Sequence, residues 1–550
     1  MMGATSLLDT LHGHPDAVAI FCAGGGPRLT RSQLRKQVIG VAIKLRKSGI
    51  RPGDAVSIAD TNTVDFVVAF LGVTYARAVA APLNSNYTAD EFKFYMQDAA
   101  SKLLLVPVRG NKEAESAASS CNIPVASVSV SWTDGGLSTV LTRKSGDLSF
   151  DTRGARAELE DPPRGDDVAL FLHTSGTTSR PKGVPLTHAN LAASLANIVA
   201  TYELTPSDRS LLVMPLFHVH GLMAGLLAPF LAGSAIILPV GGRFSAGTFW
   251  RDAIEFGATF YTAVPTMHQI LLARAEKDYP ANSPPPLRFI RSCSSSLAAP
   301  TLHKLEATFH VPVLEAYAMT EASHQMTSNP LPKNGPHKAG TVGRAQGSVQ
   351  VTILDDQNRQ LPVGQIGEVC ILGPNVTKGY INNPNANQEA YAGGWFHTGD
   401  QGFLDEDGFL TLTGRLKELI NRGGEKISPL EVDSALLGHP LVNEAVSFGA
   451  PDEKYGEVVA AGVVLSKPAD DEAAVIADIR KFAATKLAKF KVPEQIFITD
   501  KLPKGATGKI QRRHMVGHFI GKGGKGGGKL EGGVERKDTA SGKPLFHSKL

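Results

Sequence analysis

Cysteine is scarce in this chain of 550 residues. Cys22, Cys121, Cys293 and Cys370 are far apart and form no C-x-x-C pair. That spacing argues against a disulfide framework or a zinc knuckle, and sparse thiols suit a reducing compartment. A dominant charge sign is also lacking, because 56 Lys and Arg against 52 Asp and Glu leave a net charge of +4. No basic stripe is interleaved with aromatics, so no specific nucleic-acid partner is expected. The opening residues lack a basic region followed by a long apolar run, so a secretory leader is not expected. The most apolar stretch, residues 211–240, contains Pro215, His218, His220, Pro229, Pro239 and several glycines. A bilayer span tolerates these poorly, so the stretch reads as a buried helix followed by a buried strand, with no membrane span. No internal repeat is found.

What is present fits an ordinary soluble globular protein. Apolar residues make up 42% and charged residues 20%, as in ordinary soluble domains. Single cores stop growing near ~250–300 residues, so more than one domain is expected. Short β-rich runs such as DAVSIAD, KLLLVPV, AIILPV, ATFYTAV, LRFIRSC and PVLEAY alternate with helical segments such as PTMHQILLARAE. That alternation predicts an α/β fold with βαβ-type parallel sheets. After about residue 342, turn residues separate short strands in GSVQVTILDDQNRQLPVGQIGEVCILG, which predicts a small antiparallel β subdomain. A boundary near residues 415–420 divides a large unit, 1–415, from a small α+β unit, 416–520. Residues 521–550 are rich in Gly and Lys and too poor in apolar groups to offset their ordering entropy, so disorder is expected there.

The densest chemical signal is Thr174-Ser175-Gly176-Thr177-Thr178-Ser179-Arg180-Pro181-Lys182-Gly183, which follows the apolar run VALFLH. Such a loop offers backbone N–H groups, hydroxyls and a cation to a polyphosphate. It is not a Walker loop, because the GxxxxGK[ST] spacing is absent. Taken alone, a Ser/Thr/Gly run is more often a flexible polar loop. Here five further motifs follow it: PLFHVHG at 215–221, YAMTE at 317–321, WFHTGD at 395–400, GRLKELINRGGEKISP at 414–429 and LPKGATGKIQRR at 502–513.

The six motifs, in this order, resemble those of the adenylate-forming superfamily, which includes acyl-CoA synthetases, coumarate–CoA ligases, firefly luciferase and peptide-synthetase adenylation domains. The resemblance covers about residues 10–518. It implies an enzyme that joins an acid to ATP as an acyl-adenylate and passes it to coenzyme A, with Mg²⁺ as cofactor. It implies ATP contacts from Thr174, Ser175, Gly176, Thr177, Thr178, Lys182, Glu315, Ala316, Tyr317, Asp400 and Arg415. Thr320 would donate to the α-phosphate and Glu321 would hold Mg²⁺. Isolated, these charges would more often be solvated surface groups. Lys509 would bridge the acid's carboxylate and the α-phosphate, where a cation stabilises the charge that develops as one anion attacks another. His218 would gate the acyl site, and Lys417 would be the hinge of a rotating C-terminal domain. Gly423 and Gly424 would let CoA approach, because side chains there would block its thiol.

The resemblance also places the acid pocket after PLFH, along SCSSSLA and around YAMTE. Those segments carry His220, Cys293, Ser294, Ser296, Ala318 and His324. Coumarate–CoA ligases usually have glycine where Cys293 and Ala318 stand, so the pocket is expected to be shortened, and the histidines and serines make it polar. A long acyl chain would leave such donors unpaired, at about 1–3 kcal/mol each. A small dicarboxylic acid fits better, because its second carboxylate needs partners once buried. Arg243 and Arg291 lie near these segments and could add charge. Long runs, including RFIRSCSSSLA, LEAYAMTEASH and NRGGEKISP, resemble oxalate–CoA ligases, which share Ala318. Oxalate is therefore the expected acid; a 4-coumarate- or medium-chain acyl–CoA ligase is the alternative.

The chain ends in Ser548-Lys549-Leu550, the tripeptide read by the peroxisomal import receptor at a free C-terminus. A peroxisomal location is expected, with a cytoplasmic pool also open. A nucleotide- or RNA-binding protein using the Lys-rich tail is the rival from a different class. Its binding would be weak and steeply salt-dependent.

Overall fold

Threonines set the starts of the helices that separate the strands. Thr30, Thr63, Thr88 and Thr187 each accept a backbone N–H of the first turn with their hydroxyls, which satisfies one of the orphan donors at a helix start. Three of these caps are closed reciprocally by Gln33, Glu91 and Asn190. The computed structural model describes residues 6–133, 136–145, 161–174 and 181–521, and the statements that follow concern those residues. Ser175, Gly176, Thr177 and Thr178 of the polyphosphate loop and the terminal Ser548, Lys549 and Leu550 lie outside them.

Two large sheets carry most of the chain. In one, the parallel strands Val125–Thr133, Leu103–Val106, Ala55–Ile58, Val79–Pro82 and Val168–His173 lie side by side, with antiparallel strands added at both edges. In the other, the parallel run is Val313–Met319, Phe289–Cys293, Phe260–Ala263, Arg209–Leu211, Ala235–Leu238 and Val18–Cys22. Helices Arg31–Lys47, Val64–Tyr75 and His188–Tyr202 share one apolar core with strands from both sheets. Phe66, Phe70 and Phe230 in that core are 0–1% exposed, and each contributes about 1.5–3 kcal/mol by leaving water. The α/β expectation is met.

Residues 350–415 form the expected antiparallel unit, with strands Gln350–Leu354, Gly367–Leu372, Phe396–Leu404 and Leu410–Arg415. Beyond it, strands Glu425–Ile427, Ile420–Arg422, Gly456–Leu465 and Val442–Asp452 form a separate sheet, and Gln495–Ile498 pairs parallel with Gly456–Leu465. This sheet and helices Pro429–Leu437 and Glu472–Ala484 bury a core of their own around Ile420, Val432, Leu436, Val459 and Ile479.

The apolar stretch 211–240 is largely buried, as expected, with Val240 exposed at its end. After strand Arg209–Leu211 the chain makes wide π-type turns over Gly221–Leu227 and then enters strand Ala235–Leu238. Gly221 is needed there, because a Cβ would lie 2.2 Å from the Pro215 carbonyl oxygen. No helix among the described residues is long and apolar enough to cross a membrane.

Candidate active site

The C-terminal ends of parallel strands are where open α/β sheets gather ligand-binding groups. In the second large sheet those ends deliver Thr262, Cys293 and the YAMTE segment, and the π-type turn begins just after His220. The strand Phe289–Cys293 alternates its faces, so Arg291 points to the side of Phe289. Phe289 stacks on Tyr202 with ring centroids 4.9 Å apart.

Arg291 is 1% exposed and ends among neutral acceptors. Its Nε donates to the Tyr202 hydroxyl at 2.8 Å, Nη2 to Gln325 Oε1 at 3.0 Å and Nη1 to Thr262 Oγ1 at 3.1 Å, with His220 Nε2 3.3 Å from Nη1. His220 Nε2 is also 2.5 Å from Thr262 Oγ1, and its Nδ1 is 3.0 Å from Ser294 Oγ. His324 stacks on His220 with centroids 5.1 Å apart. Both histidines are fully buried, and neither ring nitrogen of His324 has a partner. Burial pushes both imidazoles well below the ordinary range, and Arg291, His218 and Lys509 act in the same direction. They are therefore neutral.

The backbone is strained here. Ser294, Ser323 and His324 have φ values of 76°, 51° and 92°, a region non-glycine residues seldom occupy and one that clusters at functional sites. Cys293 is buried and Ala318 half-buried, as a pocket wall would be, whereas Ser296 is exposed and does not join the buried cluster.

A second cluster surrounds Asp400. Its carboxylate accepts the Tyr317 hydroxyl and pairs with Arg415 Nε at 3.1 Å. Burial raises the Asp400 pKa, and Arg415 and Tyr317 oppose that shift. The turn before it is held by Glu368, whose Oε1 accepts the Gly399 N–H at 2.9 Å while Oε2 meets His397 Nδ1 at 2.9 Å. Gly399 has φ 73°, which glycine adopts at no steric cost.

A third cluster follows YAMTE. Glu321 sits with half-buried Thr320 in the short turn Thr320–Ala322 and accepts the Tyr380 hydroxyl at 2.8 Å. Lys182 Nζ lies 4.5 Å from the centre of the Tyr380 ring, and the Thr174 and Lys182 backbones are joined by a 3.0 Å hydrogen bond. Burial raises the Glu321 pKa against the hydrogen bond from Tyr380 and the charges of Arg415 and Lys182. One buried carboxylate is a donor that fits Mg²⁺, which takes few protein ligands and draws the rest from phosphate oxygens and water.

Lys509 joins the clusters. It follows Gly508 (φ 82°) in a tight turn in which Gly505 N–H donates to its carbonyl at 2.8 Å. Thr266 Oγ1 donates to the Gly508 carbonyl at 2.8 Å, which ties the turn to the start of helix Pro265–Ala273. Burial lowers the Lys509 pKa to about 8; Arg415 acts in the same direction, and Cys293 and Asp400 oppose it. Lys509 also acts on His218, His220 and His324, so its charge lies within electrostatic reach of both the buried histidine pair and Asp400. His218 is lowered to about 3 by burial and by Lys509, and its Nδ1 accepts the His220 N–H at 3.1 Å.

Other expected site residues stand apart from these clusters. Gly423 and Gly424 form an exposed turn between strands Ile420–Arg422 and Glu425–Ile427, and Gly423 N–H donates to the Tyr455 carbonyl. Lys417 is exposed beside Arg415. The Glu315 side chain is 3% exposed and turned inward, where it accepts the Leu297 and Gly340 N–H groups at 3.1 and 3.4 Å. The ladder residues Ala316 and Tyr317 follow it in the strand.

Glu315 yields a stability prediction. Burial raises its pKa from 4.5 to about 8, so at neutral pH it is protonated when folded and ionised when unfolded. The folded state therefore loses ground as pH rises from about 4.5 to about 8, because it holds the extra proton. Glu315→Gln removes this titration. Its amide nitrogen cannot accept one of the two N–H groups, so calorimetry should find the variant the less stable near the lower limit, with the gap narrowing as pH rises to the upper limit. A gap independent of pH would place the proton elsewhere.

Sequence reasoning missed Tyr202, Thr262, Thr266, Gln325, Glu368 and Tyr380. Each is an ordinary polar residue outside the motifs, and only the fold brings it to the site.

Comparison with known proteins shows the family and the fold. The sequence profile of the AMP-binding enzyme matches residues 7–381, and that of the AMP-binding enzyme C-terminal domain matches residues 431–509. The chain is 53% identical over 509 residues to an oxalate–CoA ligase of Arabidopsis thaliana, an alignment covering 92% of this chain and 96% of that protein. It is 47% identical over 485 residues to an oxalate–CoA ligase of Saccharomyces cerevisiae, covering 85% and 87%. The crystal structure of ATP-bound MatB from Rhodopseudomonas palustris superposes with a TM-score of 0.80 at 28% identity, covering 95% of this chain and 100% of that one.

Proposed function

The chain belongs to the AMP-binding enzyme family, and from that premise we propose that it is an oxalate–CoA ligase: oxalate, ATP and CoA give oxalyl-CoA, AMP and diphosphate. Relatives that carry this name cover most of the chain. The observation that carries the choice of acid is the buried pair His220 and His324 beside Ser294, in which both His324 ring nitrogens lack partners. Buried polar groups are rarely left unpaired unless a ligand completes them. A fatty or cinnamic chain would leave them unmet, whereas a second carboxylate accepts from them.

In the first half-reaction a carboxylate oxygen of the acid attacks the α-phosphorus of ATP and diphosphate leaves. Lys509 stabilises the charge that develops between the two anions, and Thr320 donates to the α-phosphate. Asp400 and Arg415 hold the ribose, with the segment Glu315, Ala316, Tyr317 against the adenine. The loop ending at Lys182 holds the phosphates, and Glu321 holds Mg²⁺, which supplies charge neutralisation there. In the second half-reaction the CoA thiolate attacks the acyl carbonyl and AMP leaves.

The charge of Lys509 acts on His218, His220 and His324 while Gly423 and Gly424 lie in an exposed turn, a division that supports two domain arrangements exchanged about Lys417. His218, which feels the charge of Lys509 and accepts the His220 N–H, gates the acyl site. The terminal Ser548-Lys549-Leu550 supports an import receptor as a partner and a peroxisomal location.

The test is AMP release by the purified protein with ATP, Mg²⁺ and CoA across oxalate, malonate, acetate, octanoate and 4-coumarate. Turnover dominated by oxalate is expected. Turnover of octanoate or coumarate without oxalate would retain the adenylate chemistry and overturn the acid.

A further inference from the structure

Arg291 is a fully buried guanidinium whose described partners are all neutral. The Tyr202 and Thr262 hydroxyls, the Gln325 carbonyl and the His220 ring meet its N–H groups, and no carboxylate among the described residues pairs with it. Lys509, also a cation, acts on the same His324 ring as Arg291 does, and Asp400, which acts on Lys509, is itself paired with Arg415. An interior cation without a counter-ion is costly, so this part of the molecule holds an unbalanced positive charge that an entering anion would offset.

The hydrogen bonds also have a direction. Arginine can only donate, so Thr262 Oγ1 accepts from Nη1 and is left to give its own hydrogen to His220 Nε2, 2.5 Å away. A neutral imidazole that accepts at Nε2 carries its proton at Nδ1. His220 Nδ1 therefore donates to Ser294 Oγ at 3.0 Å. The Ser294 hydroxyl hydrogen is then free for another acceptor. Arg291 fixes every step of this order.

We propose that Arg291 is the specificity-determining positioning residue of the acid site. Its uncompensated charge selects acids that bring a second carboxylate, and the Thr262–His220–Ser294 relay it orients presents a donor to that carboxylate. This rests on reading the pocket as the acid site of an acid–CoA ligase. The reacting carboxylate of a diacid loses its charge on becoming an acyl-adenylate, while the distal one keeps its charge through both half-reactions. A fixed cation favours the diacid throughout and gives a monocarboxylate no such lasting gain.

The full-length protein tests this through Gln325→Glu. The new carboxylate would stand where Gln325 Oε1 now lies, 3.0 Å from Arg291 Nη2, and give the guanidinium an internal counter-ion without removing it. The variant should fold, and because it exchanges the Gln325 Nε2 donation to Thr201 Oγ1 at 3.2 Å for an ion pair, its melting temperature should stay near that of wild type. Its kcat/KM for oxalate should fall on the order of 30-fold, the factor for cancelling a unit charge several ångströms away at an effective dielectric of about 20. Its kcat/KM for glyoxylate, similar in size with one carboxylate, should change by less than about threefold, as should the KM for ATP. Arg291→Met should lose the preference for the diacid and Arg291→Lys should keep most of it.

Equal losses for oxalate and glyoxylate would mean Arg291 only supports the fold, and unchanged oxalate kinetics in Gln325→Glu would also overturn the proposal. If wild type prefers malonate and Gln325→Glu abolishes that preference over propanoate, oxalate is the wrong acid and the role of Arg291 stands. A wild type that prefers monocarboxylates would overturn both.

Discussion

Lys509→Ala is expected to slow acyl-adenylate formation by about 10³-fold, the upper range for losing one preorganised donor to a developing charge. ATP should still bind, because Tyr317, Asp400 and Arg415 form their own cluster. The two half-reactions separate the causes. Acid-dependent exchange of labelled diphosphate into ATP reports the first and should collapse. Transfer from a presynthesised acyl-adenylate to CoA reports the second and should stay within about threefold of wild type, because no phosphoryl transfer is involved. In wild type, the Lys509 pKa is lowered to about 8. A lysine with a depressed pKa carries its charge below that value and loses it above, so kcat/KM for the acid should fall as pH rises through about 8. That ratio reports groups of the free enzyme. Full exchange activity in Lys509→Ala, or equal damage to both half-reactions, would remove Lys509 from its role.

The motifs made much of this site legible, and their limits are physical. Each motif is a local segment whose glycines, hydroxyls and charges announce a turn that must meet a ligand, as with Gly508 before Lys509 and Gly399 before Asp400. The alternation of strands and helices was equally legible, because burial on both faces of a parallel strand leaves a continuous apolar run. Arg291 shows where this kind of reading stops. A charged residue between Ile290 and Ser292 says nothing of its burial, since arginine is by default exposed. Its partners Tyr202, Thr262 and Gln325 come from three separate elements. The Glu368–Gly399 bond and the Thr266–Gly508 bond are likewise products of the tertiary fold. Ser296 was misleading for the opposite reason. It lies in the segment SCSSSLA, but the chain leaves the strand after residue 293 and carries Ser296 out to solvent.

The same strained segment determines how the acid pocket should be probed. Replacing His324 with a β-branched residue such as valine would confound the result, because φ is 92° at this position and such residues tolerate positive φ worst. Glycine adopts that conformation freely, so His324→Gly removes the imidazole and its backbone strain together. The lost packing against His220 and the relieved strain act in opposite directions on stability, and the melting temperature should move little. Catalysis should not be spared. A neutral imidazole offers one N–H, and a hydrogen bond to a carboxylate contributes about 1.5–3 kcal/mol, so kcat/KM for oxalate should fall by up to about 100-fold. Burial and the nearby cations keep His324 neutral far below the ordinary histidine range, so this loss should be the same from pH 6 to pH 8. The KM for CoA should not follow. An equal rise in the KM for oxalate and CoA would detach His324 from the acid, and a loss that appears only at low pH would mean that the imidazolium, not the neutral ring, holds the carboxylate.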